Sequence, residues 1–282
     1  MKSKTNRKRK GKVGNNWYGV LASCLGTVAE GLADKTLVEF TTEEIETYLE
    51  ERMDDDDWEP RTFNNYCDYI ASVFKWGIEN NKVSQNPVKK IEQYDKKMIH
   101  KEVVVPDVGI IARILSLTKK KYRRLRPALD LGFGLAMRSS EISRMDWANV
   151  RKQLIHVPAS IAKNGEPRNI ERSPLLDGVF RSLHSMHQTS GPIMYKGWRR
   201  DLTRLYEEAG IGKARNVARK SGATYHYHAT GDEALTRKNM GHTQNSAVFS
   251  SSYKALNLSD GATMTPIEKT DGMAYFALWK KH

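Results

Sequence analysis

The sequence predicts an all-α domain followed by a larger α+β domain that is mainly α-helical with a small antiparallel β-sheet. Two observations support this fold class. Apolar residues recur at helical spacing over most of the chain, whereas short β-like stretches cluster between residues 154 and 172. The 282 residues, 39% of them hydrophobic, are enough for two packed cores.

Residues 17–92 are predicted to form the all-α domain, with a first helix over its N-terminal part. Thr41-Thr-Glu-Glu44 has the pattern of a capping box and starts a second helix. A third helix, with an apolar stripe on one face, is predicted from Arg61. It ends at Asn80-Asn81, and Asn86-Pro87 prevents it from continuing.

Residues 93–105 lack a clear helical stripe and precede Pro106, so we expect a linker there and a second domain over residues 106–282. Its sheet is predicted to have three strands with a tight hairpin at Asn164-Gly165, namely residues 154–157, 160–162 and 168–172. Helices are predicted over residues 107–115, 125–135, 139–147, 175–187, 197–209, 216–230, 232–240 and 265–281.

The charge of the chain indicates a polyanionic partner. The formal net charge is +13, and seven of the first twelve residues are basic within a predicted N-terminal arm, residues 1–16. Basic clusters recur at residues 119–124 and 196–204 without adjacent apolar anchors, which favours nucleic acid over a membrane surface. Without an apolar N-terminal stretch or a run of about 18 apolar residues, and with two cysteines expected to be reduced, we expect a cytoplasmic protein.

Several segments of the second domain contain residue types suited to phosphate chemistry. Each is ordinary by itself: an Arg and a Glu at the start of a helix, a Lys beside a hairpin turn, an Arg on a helix, a Gly-His pair, and a Tyr. In chain order these residues are Arg138, Glu141, Lys163, Arg219, Gly241-His242 and Tyr253.

Taken in order, these segments resemble the catalytic domain of the tyrosine recombinase, or phage-type integrase, family. The last motif is similar to the Gly-His, Phe, Tyr-Lys-x-Leu pattern of that family and reads Gly241-His242, Phe249 and Tyr253-Lys-Ala-Leu256. The upstream helices resemble the core-binding domain of the family. The resemblance covers roughly residues 17–255 and implies a DNA recombinase that acts on double-stranded DNA as a homotetramer at paired sites.

The resemblance also implies a role for each residue. Tyr253 is the nucleophile that forms a phosphotyrosine ester, and Arg138 and Arg219 clamp the phosphate. Lys163 is the general acid, and His242 hydrogen-bonds the phosphate or the nucleophile. Glu141 fixes either the arginines or the neighbouring histidine position, and no metal or cofactor is required. Two guanidinium groups suit this role because they stabilise charge that accumulates on the non-bridging phosphate oxygens.

Three features depart from the family pattern. Asn216 stands where a histidine is usual, and asparagine cannot transfer a proton. The segment between His242 and Tyr253 is a couple of residues longer than usual. Gly222 replaces a large apolar residue, which we interpret as loosening its helix. Asn216 and the longer segment before Tyr253 keep open a non-cutting DNA-binding protein, and a type IB topoisomerase-like enzyme is the third alternative.

Other residues have competing interpretations. Tyr195, Tyr225 and Tyr227 are alternative nucleophiles, although none follows a Gly-His pair. Two histidine pairs, His184/His187 and His226/His228, have the spacing of metal ligands, but they lack a cysteine or carboxylate partner at that spacing, so we expect no zinc.

The C-terminal segment is predicted to form a docking helix. Thr265-Pro266 provides an N-cap and a first-turn proline, and the apolar residues that follow form a cluster on a helix too short to be stable alone. This helix is expected to dock either on its own catalytic domain or, as in related recombinases, on a neighbouring protomer.

Overall fold

The computed structural model of the chain describes residues 15–31, 35–95, 104–211, 216–241, 256–258 and 264–281. The chain divides into two units, Met1–Lys101 and Glu102–His282. Among the described residues, both units are mainly helical, and β-strands occur only in the second. The predicted fold class is confirmed.

The described part of the first unit contains α1 (Asn15–Gly31), α2 (Thr42–Asp55), α3 (Pro60–Glu79) and the 3₁₀ turn Pro87–Lys90. The capping box of α2 forms as predicted, because the Glu44 N–H donates to the Thr41 hydroxyl and the Thr41 N–H donates to the Glu44 carboxylate, both at 3.2 Å. The predicted arm lies outside the described residues except for Asn15 and Asn16, which begin α1.

The core of the first unit forms between α2, α3 and the 3₁₀ turn. Buried residues on the α3 stripe include Phe63, Cys67 and Phe74, and α2 contributes Ile45 and Leu49. The helix ends where the sequence predicts, at the C-cap Asn80.

The second unit contains, in chain order, β1 (Val104–Pro106), α4 (Val108–Lys120), the 3₁₀ turn Arg123–Leu125, α5 (Arg126–Leu129), the π-helical turn Asp130–Gly134, α6 (Ser139–Ile142), the 3₁₀ turn Trp147–Asn149, β2 (Leu154–Val157), β3 (Arg168–Glu171), α7 (Asp177–Ser185), α8 (Trp198–Glu208), α9 (Val217–Thr230), α10 (Glu233–Met240), β4 (Leu256–Leu258), β5 (Met264–Pro266) and α11 (Lys269–Lys281).

The hairpin between β2 and β3 has two strands rather than the predicted three. The strands pair antiparallel, with Val157 opposite Arg168. Residues 160–162 form a turn instead of a strand, because the Pro158 carbonyl accepts hydrogen bonds from the N–H groups of both Ile161 and Ala162. The prediction of a strand there was wrong because a local turn satisfied the backbone groups that a strand would have left unpaired.

A second, three-stranded sheet was not predicted. β1 pairs in parallel with β4, and β4 pairs antiparallel with β5. The end of the predicted linker is therefore a strand, and Thr265-Pro266 belongs to β5 instead of capping α11. Residues 96–103 of the linker region lie outside the described residues. Strands of three residues whose partners are far away in sequence leave little periodicity to detect.

Two helix predictions in the second unit differ from the structure. The helix predicted over residues 139–147 ends at Ile142 as the single turn α6, and the segment predicted over 125–135 is interrupted by the π-helical turn. That turn lies against α9, which carries Arg219.

The C-terminal helix α11 docks on the unit to which it belongs. It packs against α9 and α7. The Tyr275 ring stacks on the ring of Tyr225 with centroids 4.2 Å apart, and its hydroxyl donates to the Phe133 carbonyl at 2.8 Å. The Trp279 indole donates to the buried Asp130 carboxylate, also at 2.8 Å. These contacts correspond to the first predicted docking mode, and docking on a neighbouring protomer stays a prediction.

Among the described residues, none of the helices has the length and apolar character needed to cross a membrane.

Candidate active site

Arg138 is the N-cap of α6, and Glu141 is the third residue of that helix. The Arg138 N–H donates to Glu141 Oε2 at 3.1 Å, and Arg138 Nη1 donates to Glu141 Oε1 at 3.0 Å. A glutamate three residues after the cap position can reach back to the free N–H groups of a helix start, which explains this local fold. The Glu141 side chain is fully buried, whereas that of Arg138 is 19% exposed.

A second arginine, which sequence reasoning missed, holds the same carboxylate. Arg168 on β3 donates from Nη1 to Glu141 Oε1 at 3.1 Å and from Nη2 to Oε2 at 2.7 Å, and its side chain is only 7% exposed. A signal for it exists in the sequence. Alternate residues of a strand face the same side, so Arg168 shares a face with the buried Ile170 and needs an anionic partner.

Glu141 is an ionised carboxylate despite its burial. Burial alone would raise its pKa, but the hydrogen bonds and charge of Arg168, followed by those of Arg138, lower the pKa of Glu141 to about 2. One buried negative charge therefore lies between two guanidinium groups.

Arg219 lies on the first turn of α9 and is buried. Its Nη1 donates to the Ala136 carbonyl at 2.6 Å and its Nη2 donates to the Met240 carbonyl at 3.0 Å. Ala136 has a φ of 52°, which is unusual for a residue other than glycine and costs conformational energy. In this backbone conformation the Ala136 carbonyl accepts a hydrogen bond from the Arg219 guanidinium.

The arginines converge on the C-terminal end of α10. Arg168 Nε donates to the Asn239 carbonyl at 3.0 Å, and Arg138 donates to the carbonyls of Met240 and Gly241, both at 3.3 Å. Because Arg219 also binds the Met240 carbonyl, the two arginines predicted from the sequence share one acceptor. Carbonyls at a helix end carry a partial negative charge, which these cations offset.

Gly241 fits this junction for two reasons. Its φ is 65°, and a Cβ at this position would lie 2.8 Å from Arg168 Nη1. Only glycine meets both conditions without a shift of the guanidinium. His242 and Tyr253, the two predicted site residues that follow it, lie outside the described residues.

Lys163 and Asn216 are described, and both are exposed. Lys163 is exposed in the turn between β2 and β3, five residues before Arg168. Asn216 is exposed at the start of α9 with a φ of 59°, a left-handed conformation in which asparagine is enriched.

A cavity of about 350 Å³ opens beside Asn216 and Arg219. Ser139 and the exposed Arg199 also line it, and Arg199 Nη2 donates to the Ser139 carbonyl at 3.2 Å. Apolar residues, among them Trp198, form the rest of the lining. The cavity therefore joins the start of α6 to the start of α9.

Gly222 corrects the expectation that it loosens its helix. A Cβ at Gly222 would lie 2.3 Å from the Phe133 carbonyl oxygen and 3.0 Å from that of Gly132. The glycine therefore allows α9 to approach the π-helical turn more closely than any side chain would permit.

His226 connects α9 to α10 in a buried network. The Thr236 hydroxyl donates to the Asp232 carbonyl at 2.8 Å, so His226 Nδ1–H is the donor in its 2.7 Å contact with that hydroxyl. Nε2 then accepts from the Asn239 amide at 3.5 Å. Burial lowers the pKa of His226 to about 4 although the charge of Asp232 acts in the opposite direction, so the ring is neutral. Among the described residues, no group of three or more His, Cys, Asp or Glu could hold a metal ion.

Two of the alternative nucleophiles have structural contacts. Tyr225 is fully buried, and its hydroxyl donates to the Pro106 carbonyl at 2.9 Å. The Tyr195 hydroxyl donates to Asp201 at 2.7 Å, and burial, followed by this bond, raises the pKa of Tyr195 to about 12. Both are therefore poorly suited to nucleophilic attack. Tyr227 is half-buried on α9.

Solved structures of DNA-bound integrases share the architecture of this chain. A lambda integrase tetramer bound to a Holliday junction superposes with a TM-score of 0.71 at 15% identity, covering 86% of this chain and 76% of that one. A lambda integrase dimer bound to a COC′ core site gives 0.69 at 15% identity, covering 87% and 92% of the two chains. The Tn1549 transposon integrase in complex with circular intermediate DNA gives 0.61 at 13% identity, also covering 87% and 92%.

The chain has the tyrosine recombinase fold. At 13–15% identity in these three comparisons the likeness establishes the architecture, and the chemistry must be argued from the residues. No protein-family model and no curated protein sequence matches the chain. Among the described residues, the candidate site brings Arg138, Glu141, Arg168 and Arg219 together around the end of α10.

Proposed function

We propose that this chain is a site-specific DNA recombinase that cuts and rejoins DNA strands through a 3′-phosphotyrosine intermediate on Tyr253. The observation that carries the proposal is the convergence of Arg138 and Arg219 on the Met240 carbonyl, two residues before His242. Residues from three separate segments thus meet beside the segment that leads to the tyrosine.

The chemistry follows from the residue types. The phenol oxygen of Tyr253, after losing its proton, attacks phosphorus, and the 5′ oxygen of the next nucleotide leaves with a proton from Lys163. Arg138 and Arg219 stabilise the charge on the non-bridging oxygens, so the reaction needs neither a metal nor ATP. The phosphotyrosine ester conserves the energy of the phosphodiester, and attack by a 5′ hydroxyl reverses the step.

Supporting residues hold these groups in place. Glu141 orients Arg138 through contacts at 3.0 and 3.1 Å. Lys163 lies in an exposed turn that can approach a bound strand, which suits a general acid. His242 hydrogen-bonds the phosphate or the nucleophile.

The partners that we propose are double-stranded DNA and three further copies of the chain at paired sites. The lambda integrase tetramer on a Holliday junction supports this assembly by analogy.

A non-cutting DNA-binding protein is the second candidate, and Asn216 favours it. This exposed amide at the cavity beside Arg219 can donate a hydrogen bond to phosphate but cannot transfer a proton. A type IB topoisomerase-like enzyme would share the strand-cutting chemistry but act without a second site.

Covalent capture tests the proposal. The full chain is incubated with a pool of nicked duplexes of random sequence and with fragments that flank its own gene, and protein–DNA adducts are resolved in denaturing gels. The proposal expects an adduct that is lost in Tyr253→Phe, while binding in native gels is retained. A wild-type chain that binds DNA and forms no adduct would instead support the second candidate. Strand exchange that requires two specific sites separates a recombinase from a topoisomerase.

A further inference from the structure

Arg168 occupies an unusual position for a strand arginine. It lies at the base of the hairpin that carries Lys163, forms a two-pronged contact with the buried Glu141 and binds the Asn239 carbonyl at the end of α10. Gly241 is packed against its guanidinium. A single side chain thus contacts the two segments that support Arg138.

The charges around Glu141 explain what this arginine adds. Arg138, Arg168 and Arg219 carry three positive charges and Glu141 carries one negative charge. Without Arg168, the only guanidinium with a described contact to Glu141 would be Arg138. In a buried site the carboxylate would then largely neutralise the arginine that has to bind phosphate.

We propose that Arg168 is a positioning residue for the cleavage reaction: it balances the charge of Glu141, so that Glu141 can orient Arg138 while Arg138 keeps its positive charge for the scissile phosphate. The inference rests on the proposed function and deepens it. Arg138 is suited to this role because its contacts within the described residues use three of the five N–H donors of a guanidinium, and part of its side chain is exposed.

The test is a charge-balanced pair of variants in the full chain. Arg168→Met keeps the length of the side chain and removes its charge, and we expect the cleavage rate to fall by about a hundredfold. Adding Glu141→Gln to that variant removes the unbalanced carboxylate while the amide oxygen still accepts from Arg138. The double variant should recover at least about tenfold. Arg168→Lys, which keeps the charge without the planar fork, should retain more activity than Arg168→Met.

A merely structural role makes the opposite prediction. If Arg168 acted only by tying the hairpin to α10, removing a further contact with Glu141→Gln would deepen the loss, and Arg168→Lys would resemble Arg168→Met. A double variant that is no faster than Arg168→Met overturns the inference, even if the wild-type chain forms adducts normally.

A second readout does not depend on cleavage. Inorganic pyrophosphate is titrated into the full chain, and the Arg138 Nε–H resonance is followed by NMR. We expect binding to weaken in Arg168→Met and to recover in the double variant. That pattern without any DNA adduct would mean that the proposed function fails and the charge balance stands. An Arg138 resonance that does not respond to pyrophosphate in the wild-type chain would overturn the inference.

Discussion

Replacing Gly222 with alanine should destabilise the second unit although alanine is the better helix former. The added Cβ would lie 2.3 Å from the Phe133 carbonyl oxygen. Real Cβ atoms essentially never come closer than about 3.0 Å to such an atom, so α9 or the π-helical turn must move by about 0.7 Å. Overpacking against backbone costs roughly 1–3 kcal/mol, which outweighs the roughly 1 kcal/mol that alanine gains in a helix.

Gly19→Ala in α1 is the matched control, because apart from its own helix no atom of the described residues lies within 4 Å of the Cβ that it would add. It receives the helix-propensity gain without the clash. The change in unfolding free energy that each variant causes in its own unit should therefore differ by the overpacking cost alone, roughly 1–3 kcal/mol. Urea titrations followed by hydrogen exchange, which resolves the two units, give both values. If Gly222→Ala proves as stabilising as Gly19→Ala, the close approach of α9 to the π-helical turn is refuted.

The same substitution should reduce cleavage. Arg219 lies one helical turn before Gly222, and its 2.6 Å contact with the Ala136 carbonyl crosses the same junction. Misplacing a catalytic group by about 1 Å can cost a hundredfold in rate, so a shift of α9 should lower the rate of adduct formation by at least about tenfold. An unchanged rate together with the expected loss of stability would indicate that the turn moves and α9 does not.

Further predictions concern the site and its support. Arg138→Ala and Arg219→Ala should each slow single-turnover cleavage by several orders of magnitude while weakening DNA binding far less, and near-normal cleavage in either would contradict the phosphate clamp. Asn216→His should maintain or raise the cleavage rate, since histidine also tolerates the left-handed conformation of this residue and can exchange protons near neutral pH; a strong loss would show that the cavity requires the amide. Trp279→Ala should destabilise the second unit by roughly 3–5 kcal/mol in urea titrations, because the indole is buried and bound to Asp130, and a cost below about 1 kcal/mol would argue against docking within the chain. Burial disfavours protonation of His226 in the folded state, so the unfolded chain binds more protons and the free energy of unfolding should fall as the pH drops from about 6.5 towards about 4. His226→Gln should flatten this pH dependence, and an unchanged slope would exclude His226 as its source.

The sequence predicted the helices whose ends carry local signals. The capping box at Thr41 and the C-cap Asn80 each depend on a few neighbouring residues, so the start of α2 and the end of α3 could be predicted without tertiary information. The β1–β4–β5 sheet could not be predicted in this way. Val104–Pro106 becomes a strand only because Leu256–Leu258 pairs with it from the far end of the second unit.

The candidate site was partly predictable for a related reason. Arg138, Glu141 and Arg219 belong to patterns of residue type and order, and the structure brings them together at the end of α10. Arg168 belongs to no such pattern. Its strand face, shared with Ile170, indicates a partner for its charge, but only the contacts with Glu141 and Asn239 place it in the site. Gly222 was misinterpreted because a glycine within a helix usually indicates a more flexible helix. Here the missing side chain allows the backbone of α9 to approach the backbone of the π-helical turn.

Peptide mapping of the covalent adduct tests the central claim most directly. After capture on nicked DNA, nuclease and trypsin digestion leaves the nucleotide on one peptide, which mass spectrometry identifies. Tryptic cleavage after Lys238 and Lys254 releases a peptide whose single tyrosine is Tyr253, whereas Tyr195 and the pair Tyr225 and Tyr227 fall on two other peptides. The proposal predicts a 3′-phosphonucleotide on the Tyr253 peptide alone. A nucleotide on either of the other peptides would contradict the assignment of Tyr253 as the nucleophile.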